Sequence, residues 1–578
     1  MRLQIKNTGK SQLFYIVKSY RDSNGKSTSR IFEKLGTYEE VKVRSGSQDP
    51  VEWAKLYANE LTENENSESK VILELTPTLN IKKHAQHTYN GGYLFLQQIY
   101  YDLGLDKICK AITKKHKFGY NLNSVLSRLV YGRILHPKSK LATMELSKRF
   151  IEQPDFDLQH TYRSLSVLAL ESDFIQSELF KNSQKIIKRN TGVIFYDCTN
   201  FFFEIEEAEG IKQYGVSKEH RPNPIVQMGM FMDYDGLPLA YCINPGNTNE
   251  QVTMKPLEEK LDKQFELSQF VVCTDGGLSS IENRKYNSQG NRSFITTQSL
   301  KKFKGHLKEW SLSPEGWNVN KRDSNGNRDN KIYNINELDT ETDYSEVTFY
   351  KDRWINEDGL EQHLIVTYSI KYRNYMRSIR DKHIDKATKA IEGGTAKLNK
   401  KRSTDHKRFI IEEKITSEGE IAKKSIYSLD DKRIEDEAMY DGFYAVCTNL
   451  KDKPLDIIRV NHQRWEIEAA FRIMKSELKA RPVYLHRDDR IKAHFITCFI
   501  SLMVLKTLEK KIGGCFSSAE IISELSTMNF YNLDGEGYIP TYTRTDLTDL
   551  LHEKFKFRTD YQIIKNQTMK KIISSTKK

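Results

Sequence analysis

The chain has 578 residues, 38% of them hydrophobic and 29% charged, and its 90 Lys and Arg against 78 Asp and Glu leave a net charge of +12. That length accommodates roughly three to five structural units with buried cores, which excludes a small stapled domain, and the basic balance points to a polyanionic partner, nucleic acid ahead of an anionic membrane surface. Seven scattered cysteines without a C-x-x-C pair read as reduced thiols in a cytoplasm and argue against a structural zinc.

The amino terminus, MRLQIKNTGKSQLFYIV, shows no basic segment followed by a sustained apolar core, so no signal peptide is expected. Residues 1–63 predict a small β-rich module, with two β-prone runs flanking Asn24-Gly25 as a hairpin. The polar run NENSESK opens a linker over 64–90. His84 and His87 lie within it, but no Cys or acidic companion completes a zinc pattern. Residues 91–190 carry YLFLQQIYYDLGL, LNSVLSRLVYGRIL and LATMELSKRFI, which predict a helical domain rich in Lys and Arg. It reads equally as a scaffold with a solvated basic face and as a DNA-binding module, and no helix-turn-helix signature decides between them.

Over 191–300 the period changes. GVIFYD (192–197), IVQMGMFMD (225–233), LPLAYCI (237–243) and QFVVCTD (269–275) read as strands, the middle two joined as a hairpin around Tyr234-Asp235-Gly236. NEQVTMKPLEEKLDKQF, between the third and fourth, has helical character, and RSFITTQ (292–298) adds a further strand. Strand, hairpin, helix and strand is the order of a ribonuclease H-like α/β core. Residues 301–456 turn polar and predict a β-rich insertion, with strands in EVTFYKDRWI, EQHLIVTYSI and DGFYAVCTN, a helix in YRNYMRSIRDKHIDKATKAI, and loops in KRDSNGNRDNK and GGTAKLNKKRSTDHKR. The core resumes over 457–512, where HFITCFISLMVL (494–505) is too short for the roughly 20 residues of a bilayer span and reads as a buried helix. No membrane association is expected. Residues 513–578 form a basic C-terminal region. The fold class is thus multidomain α/β: a ribonuclease H-like core interrupted by a β-rich insertion and preceded by a small β module and a helical domain.

NHQRWEIEAAFRIMK, residues 461–475, spaces Arg464, Glu468, Arg472 and Lys475 by four, four and three, which keeps all four on one stripe of a helix. A solvated face with weak i,i+4 ion pairs gives that pattern, and so does a site. Trp465 reads as core packing, with base stacking as the lesser alternative. Glu466 sits about 200° from Glu468 and cannot enter the same site. Asp197 and Asp275 each end an apolar run, where a carboxylate either opens a turn or is held rigidly at a cleft. Three acids suit phosphodiester chemistry, in which two Mg²⁺ ions about 4 Å apart activate the attacking oxygen and stabilise the leaving one. Asp197, Asp275 and Glu468 are the candidate catalytic and metal-binding set, with Arg464 and Lys475 placed to hold phosphates. His220 and Arg221 sit in a polar loop and are DNA-binding candidates, a plain surface loop being the alternative. No Walker A, G-x-S-x-G or G-x-G-x-x-G arrangement is present.

DCTN after the first strand, TDGG after a later one and RWEIEAAFRIMK on a helix together resemble the insertion-sequence DDE transposases, specifically the IS-four group with its β-rich insertion before the glutamate. The helix signature of that group is Tyr, Arg three residues on, Glu four further and Lys seven further. Arg464, Glu468 and Lys475 fit it, whereas Asn461 stands at the Tyr position. Thr199, two after the first Asp, and SKEHRPNP through DGLPLAYCINPGNT are also family-like, and Thr199 and Arg472 join the DNA-binding candidates. The resemblance spans about residues 190–510. It implies Mg²⁺ dependence with Mn²⁺ as substitute, cleavage of double-stranded DNA at terminal inverted repeats, joining of the freed 3′ hydroxyl to target DNA, and a synaptic homodimer. The alternatives are a catalytically inactive DNA-binding relative and a ribonuclease H-like nuclease without strand transfer; the presence of all three acids favours activity.

Overall fold

The computed structural model describes residues 1–8, 11–21, 27–46, 49–68, 71, 76–78, 80–267, 269–319, 331–338, 343–394, 405–415 and 424–578. The turn expected at Asn24-Gly25 and most of the two loops expected within 321–331 and 393–408 lie outside these residues. The chain divides into two compact units, Met1–Ala85 and Gln86–Lys578.

In the first unit β1 (Arg2–Thr8), β2 (Ser11–Arg21) and β3 (Ser27–Thr37) form an antiparallel sheet. Helix α1 (Tyr38–Ser45) starts at a capping box in which Thr37 and Glu40 satisfy each other's backbone N–H, and α2 (Pro50–Glu68) follows. Phe14, Ile16, Leu35, Val41, Ala54 and Ala58 make the core. The linker expected from residue 64 begins inside α2, because nothing between Val51 and Glu68 is a Gly or Pro that would stop the helix.

The second unit opens with β4 (Thr88–Asn90) and the helices α3 (Tyr93–Asp102), α4 (Leu105–His116), α5 (Leu122–Leu135), α6 (Lys140–Ser147), α7 (Leu158–Leu170) and α8 (Ser172–Ile186). Then come β5 (Val193–Phe202), β6 (Ile225–Asp233), β7 (Pro238–Pro245), α9 (Met254–Phe265), β8 (Phe270–Thr274), α10 (Ile281–Tyr286) and β9 (Arg292–Gln298). The polar stretch holds α11 (Gly305–Leu312), β10 (Asn318–Val319), β11 (Phe349–Glu357), β12 (Leu360–Tyr368), α12 (Ile370–Glu392), β13 (Ile410–Ile415), β14 (Lys424–Leu429), α13 (Asp431–Ala438) and β15 (Phe443–Thr448). The chain ends with α14 (Pro454–His462), α15 (Trp465–Ser476), α16 (Asp488–Lys511), α17 (Ser518–Thr527), β16 (Asn529–Leu533), β17 (Gly537–Pro540), α18 (Asp546–Phe555), β18 (Ile564–Lys565) and α19 (Asn566–Ser575).

A nine-stranded mixed sheet organises this unit, in the order β10-β11-β12-β15-β9-β8-β5-β6-β7. Strands β5, β8 and β9 are parallel, while β5, β6 and β7 run as an antiparallel meander. The strands expected in the β-rich insertion extend the same sheet, since β15 pairs antiparallel with β9 from Ala445↔Gln298 to Thr448↔Ile295. The C-terminal region is also folded in: β16 pairs with β4, Phe557 stacks on Phe95, and Phe555 meets Phe95 edge to face. The boundaries expected at 190, 300, 456 and 512 therefore fall inside one compact unit.

Two layers of side chains leave β5 on opposite faces, as the period of a strand requires. Ile194, Tyr196 and Cys198 join Leu257 and Leu261 of α9. Phe195 and Phe201 join the larger core with Phe471, Phe495 and Phe499 of α15 and α16. Helix α16 is long and apolar enough to cross a membrane by length and composition, but 89% of its apolar window is buried within the protein, so the buried helix expected there is present and longer than its apolar run.

Burial on α9 pushes the Glu258 carboxyl up to about 7, against an opposing hydrogen bond from Asn287 and the charge of Arg292. With the folded value above the ordinary 4.5, this group's contribution to stability is full below pH about 4.5, is lost as pH rises through about 7, and is constant above. Glu258→Gln keeps an acceptor for Asn287. It is expected to stabilise the protein at pH 8 by at most about 2–3 kcal/mol and to be neutral near pH 4; equal denaturation midpoints at pH 8 would contradict it.

Candidate active site

Alternation decides where the acids point. Asp197 has the parity of Phe195 and Phe201, so it faces the side of the sheet covered by α15 and α16. On β8, Cys273 belongs to that same face, and Asp275, two residues on, follows it just past the strand end. Strands β5 and β8 are paired in parallel up to Tyr196↔Thr274, so Asp197 and Asp275 are next in register on neighbouring strands. Strand β5 does not stop at Asp197 as its apolar run suggested. It continues to Phe202, because DCTNFF still pairs with β6, Asp197 opposite Met230.

The third acid arrives from a helix. The expected single helix over 461–475 is two, with the break between α14 and α15 at Gln463 and Arg464. Arg464 caps α15 in a helical backbone conformation, so the four-residue spacing still brings its guanidinium to Glu468, at 3.2 Å. The same guanidinium lies 3.6 Å from Asp275. It is thus the bridge between two of the three acids, each about half exposed at its side chain, 50% for both. Ile467, Ala470, Phe471 and Met474 anchor α15 to the core.

Burial pushes the Asp197 carboxyl up to about 6; the charges of Lys218 and Arg464 and a 2.7 Å hydrogen bond from the Cys198 N–H oppose the shift, and Asp275 adds to it. Lys475 is pulled down to about 8 by burial and by Lys218, against the attraction of Asp197. Burial also acts to lower Lys218, but Asp197 and Glu250, the latter 3.1 Å away, outweigh it and hold this ammonium above its ordinary value. Two lysines and one arginine therefore converge on three carboxylates.

Several candidates take other places. Thr199 is 4% exposed inside β5, on the same face of the strand as Asp197. Arg472 is exposed on the outer side of α15. His220 and Arg221 are exposed, with the Arg221 guanidinium 4.1 Å from the Phe202 ring centroid. Trp465, expected in the core, is 56% exposed at the first position of α15, since the buried stripe begins at Ile467. Glu466 lies away from the acids, beside Gly236 of the β6–β7 turn and near Lys506 and Lys510.

Four neighbours carried no sequence signal of their own. Lys218 and Glu219 lie in the loop before β6, and Glu219 pairs with both Lys475, at 3.5 Å, and Arg481. Tyr444, on β15, accepts a 3.2 Å hydrogen bond from the Asn461 amide and shares one of 2.6 Å with Thr297. A phenol thus stands beside the position where the helix signature would place one, but it comes from a strand. Only the family-like look of SKEHRPNP touched the first pair.

As a seat for a metal, the donor set fits a hard divalent cation in type and charge. Asp197 and Asp275 offer carboxylate oxygens side by side, the ligands such ions take. Glu468 is held by Arg464, and among the described residues no three His, Cys, Asp or Glu side chains are grouped closely enough to hold a metal ion.

The family model described as transposase DDE domain matches residues 191–504, more than half of the chain. The chain belongs to that family. The match to this transposase covers Asp197, Asp275 and Glu468 and the neighbouring Lys218 and Lys475. A cryo-EM structure of a piggyBac transposase synaptic complex with hairpin DNA is similar over 84% of each chain, with 8% identity and a TM-score of 0.35, a likeness that carries no argument. No curated protein matches the sequence.

Proposed function

We propose that this transposase binds the ends of a mobile element, cleaves them and joins the 3′ hydroxyl to target DNA. The observation that carries the reading is the convergence of Asp197, Asp275 and Glu468, from two strands and a helix far apart in sequence, on one face around Arg464. The strand order β7-β6-β5-β8-β9, antiparallel then parallel, supports a ribonuclease H-like core, and the spacing of Arg464, Glu468 and Lys475 supports the IS-four group. DNA as partner agrees with the net charge of +12. A cytoplasmic setting agrees with seven cysteines, none in a disulfide.

In this reading Asp197 and Asp275 hold a divalent cation, Mg²⁺ or Mn²⁺ in its place, and Glu468 completes the set when Arg464 turns from it to a phosphate. The bound cation would supply the charge that activates an attacking oxygen and stabilises the leaving one. Lys475 and Lys218, on the side of Asp197, position the scissile phosphate as point charges. Burial of Asp197 keeps water from competing for that charge. A synaptic dimer would follow from one such centre acting on each DNA end.

The test is incubation of the protein with duplexes carrying the ends of the flanking element and a target plasmid, in Mg²⁺ or EDTA. Nicked and joined products in Mg²⁺ alone are expected. Cutting without any joined product would replace the reading by a nuclease, and DNA binding without cutting by an inactive relative.

A further inference from the structure

A cleft of 320 Å³ has a charged wall made by Arg133, Lys138, Lys140, Lys479 and Arg481, with His494 also lining it and no Asp or Glu among the lining residues. Lys140, the first residue of α6, is only 5% exposed and lines this cleft. Among the described residues its ammonium has neither a carboxylate partner nor a hydrogen-bond acceptor. Burial and the charge of Arg133 pull it down to about 7. Arg133 is itself fixed, donating to the carbonyls of Leu478 (3.2 Å) and Lys138 (3.4 Å). His494 supplies no counter-charge either: burial, then Arg133 and Lys140, hold it well below its ordinary value. A buried ammonium without a counter-charge is costly, and several further cations converge on the same space. An anion in the cleft would remove the cost.

A relay of charged side chains links the cleft to Asp197. Arg481 pairs with Glu219, Glu219 lies 3.5 Å from Lys475, and Lys475 senses Asp197. A charged strand crossing the acids would meet Lys475 first and the cleft next.

We propose that this cleft is a phosphate-binding site, with Lys140 as its buried anchor and Lys138, Lys479 and Arg481 as its rim. Its occupant is a backbone phosphate of the DNA lying across the acids, an assignment that rests on the proposed function; free phosphate is the other source of the same chemistry. Tetrahedral oxyanions suit it because the donors come from several side chains and include the Arg481 guanidinium.

The experiment uses the full chain, Lys140→Met, which keeps the stem and removes the charge, and Lys138→Ala at the exposed rim. Inorganic phosphate is titrated against Tm at matched ionic strength, and affinity for a duplex is measured as a function of salt. Phosphate is expected to raise the Tm of the wild type more than that of either variant, beyond the general stabilisation such salts give. The slope of log affinity against log salt is expected to fall by about 0.9 in each variant, the change that follows when one phosphate is no longer neutralised. Equal Tm shifts and equal slopes in all three proteins would overturn the site. A variant-dependent Tm shift with unchanged DNA slopes would overturn DNA as the source and leave free phosphate. A protein that binds no duplex at all would sink the proposed function, while the phosphate titration would still decide the cleft. Lys140→Met removes a buried charge and is expected to melt no lower than the wild type; if it fails to fold, Lys138→Ala carries both readouts.

Discussion

Glu468→Gln is expected to lower cleavage and joining by on the order of 10³-fold in Mg²⁺ while leaving affinity for duplex DNA within about twofold. The side chain is half exposed and its ion pair is with Arg464 at 3.2 Å, so the substitution disturbs no packing. Helix α15 stays docked through Ile467, Ala470, Phe471 and Met474. Glu468 is the half-exposed partner, and Arg464 keeps Asp275 at 3.6 Å when it is replaced, so the loss to folding is expected to be about 1 kcal/mol or less, and a large loss of rate with an unchanged melting curve would report chemistry. Gln retains the shape and one acceptor oxygen but not the charge, which is what an acid facing a cation contributes. Gel assays with labelled element ends and a binding titration on the same preparation check it. Full metal-dependent activity in the variant would return Glu468 to being an ordinary partner of Arg464 on a solvated face.

Phe495→Ala is expected to cost about 3–5 kcal/mol of stability, the range for a fully buried aromatic cut to a methyl. Phe495 is completely buried in α16 and packs its ring 4.9 Å from that of Phe201, tilted by 57°. Phe201 is on β5, four residues beyond Asp197 and on the same face. The cavity therefore opens directly under the strand that holds the first acid, and loss of catalytic rate is expected to accompany loss of stability. Denaturant melts of the two proteins measured side by side check the first point. A difference under about 1 kcal/mol would mean that α16 collapses into the space, and that the helix is not the rigid support of β5.

Local pattern made much of this molecule legible. The strands that start near 192, 225, 237 and 269 follow from short apolar runs and the turn at Tyr234-Asp235-Gly236, because alternation and turn chemistry act between near neighbours. Helix spacing brought Arg464 to Glu468 even across the break between α14 and α15. Where a stop signal was absent, polarity misled: α2 runs on through its Glu and Asn residues to Glu68. Over 301–456 the strands were legible as apolar alternation, whereas their pairing into the central sheet was not, because pairing is a long-range choice. Thr199 looked available because of its closeness to Asp197, yet it is buried in the continuation of β5. Trp465 looked buried because of its type, yet it precedes the stripe that packs.

The sequence by itself nominated the three acids and the apolar runs and helical stripe that carry them, since each of those patterns depends on residues within a turn or a strand of one another. Only the tertiary structure decided that Asp197 and Asp275 stand in register, that Arg464 sits between Asp275 and Glu468, and that Lys218, Glu219, Arg481 and Tyr444 join them. Those meetings depend on which strands pair in parallel and which helix covers which face, and that choice is settled by burial of apolar surface across hundreds of residues rather than by any local preference.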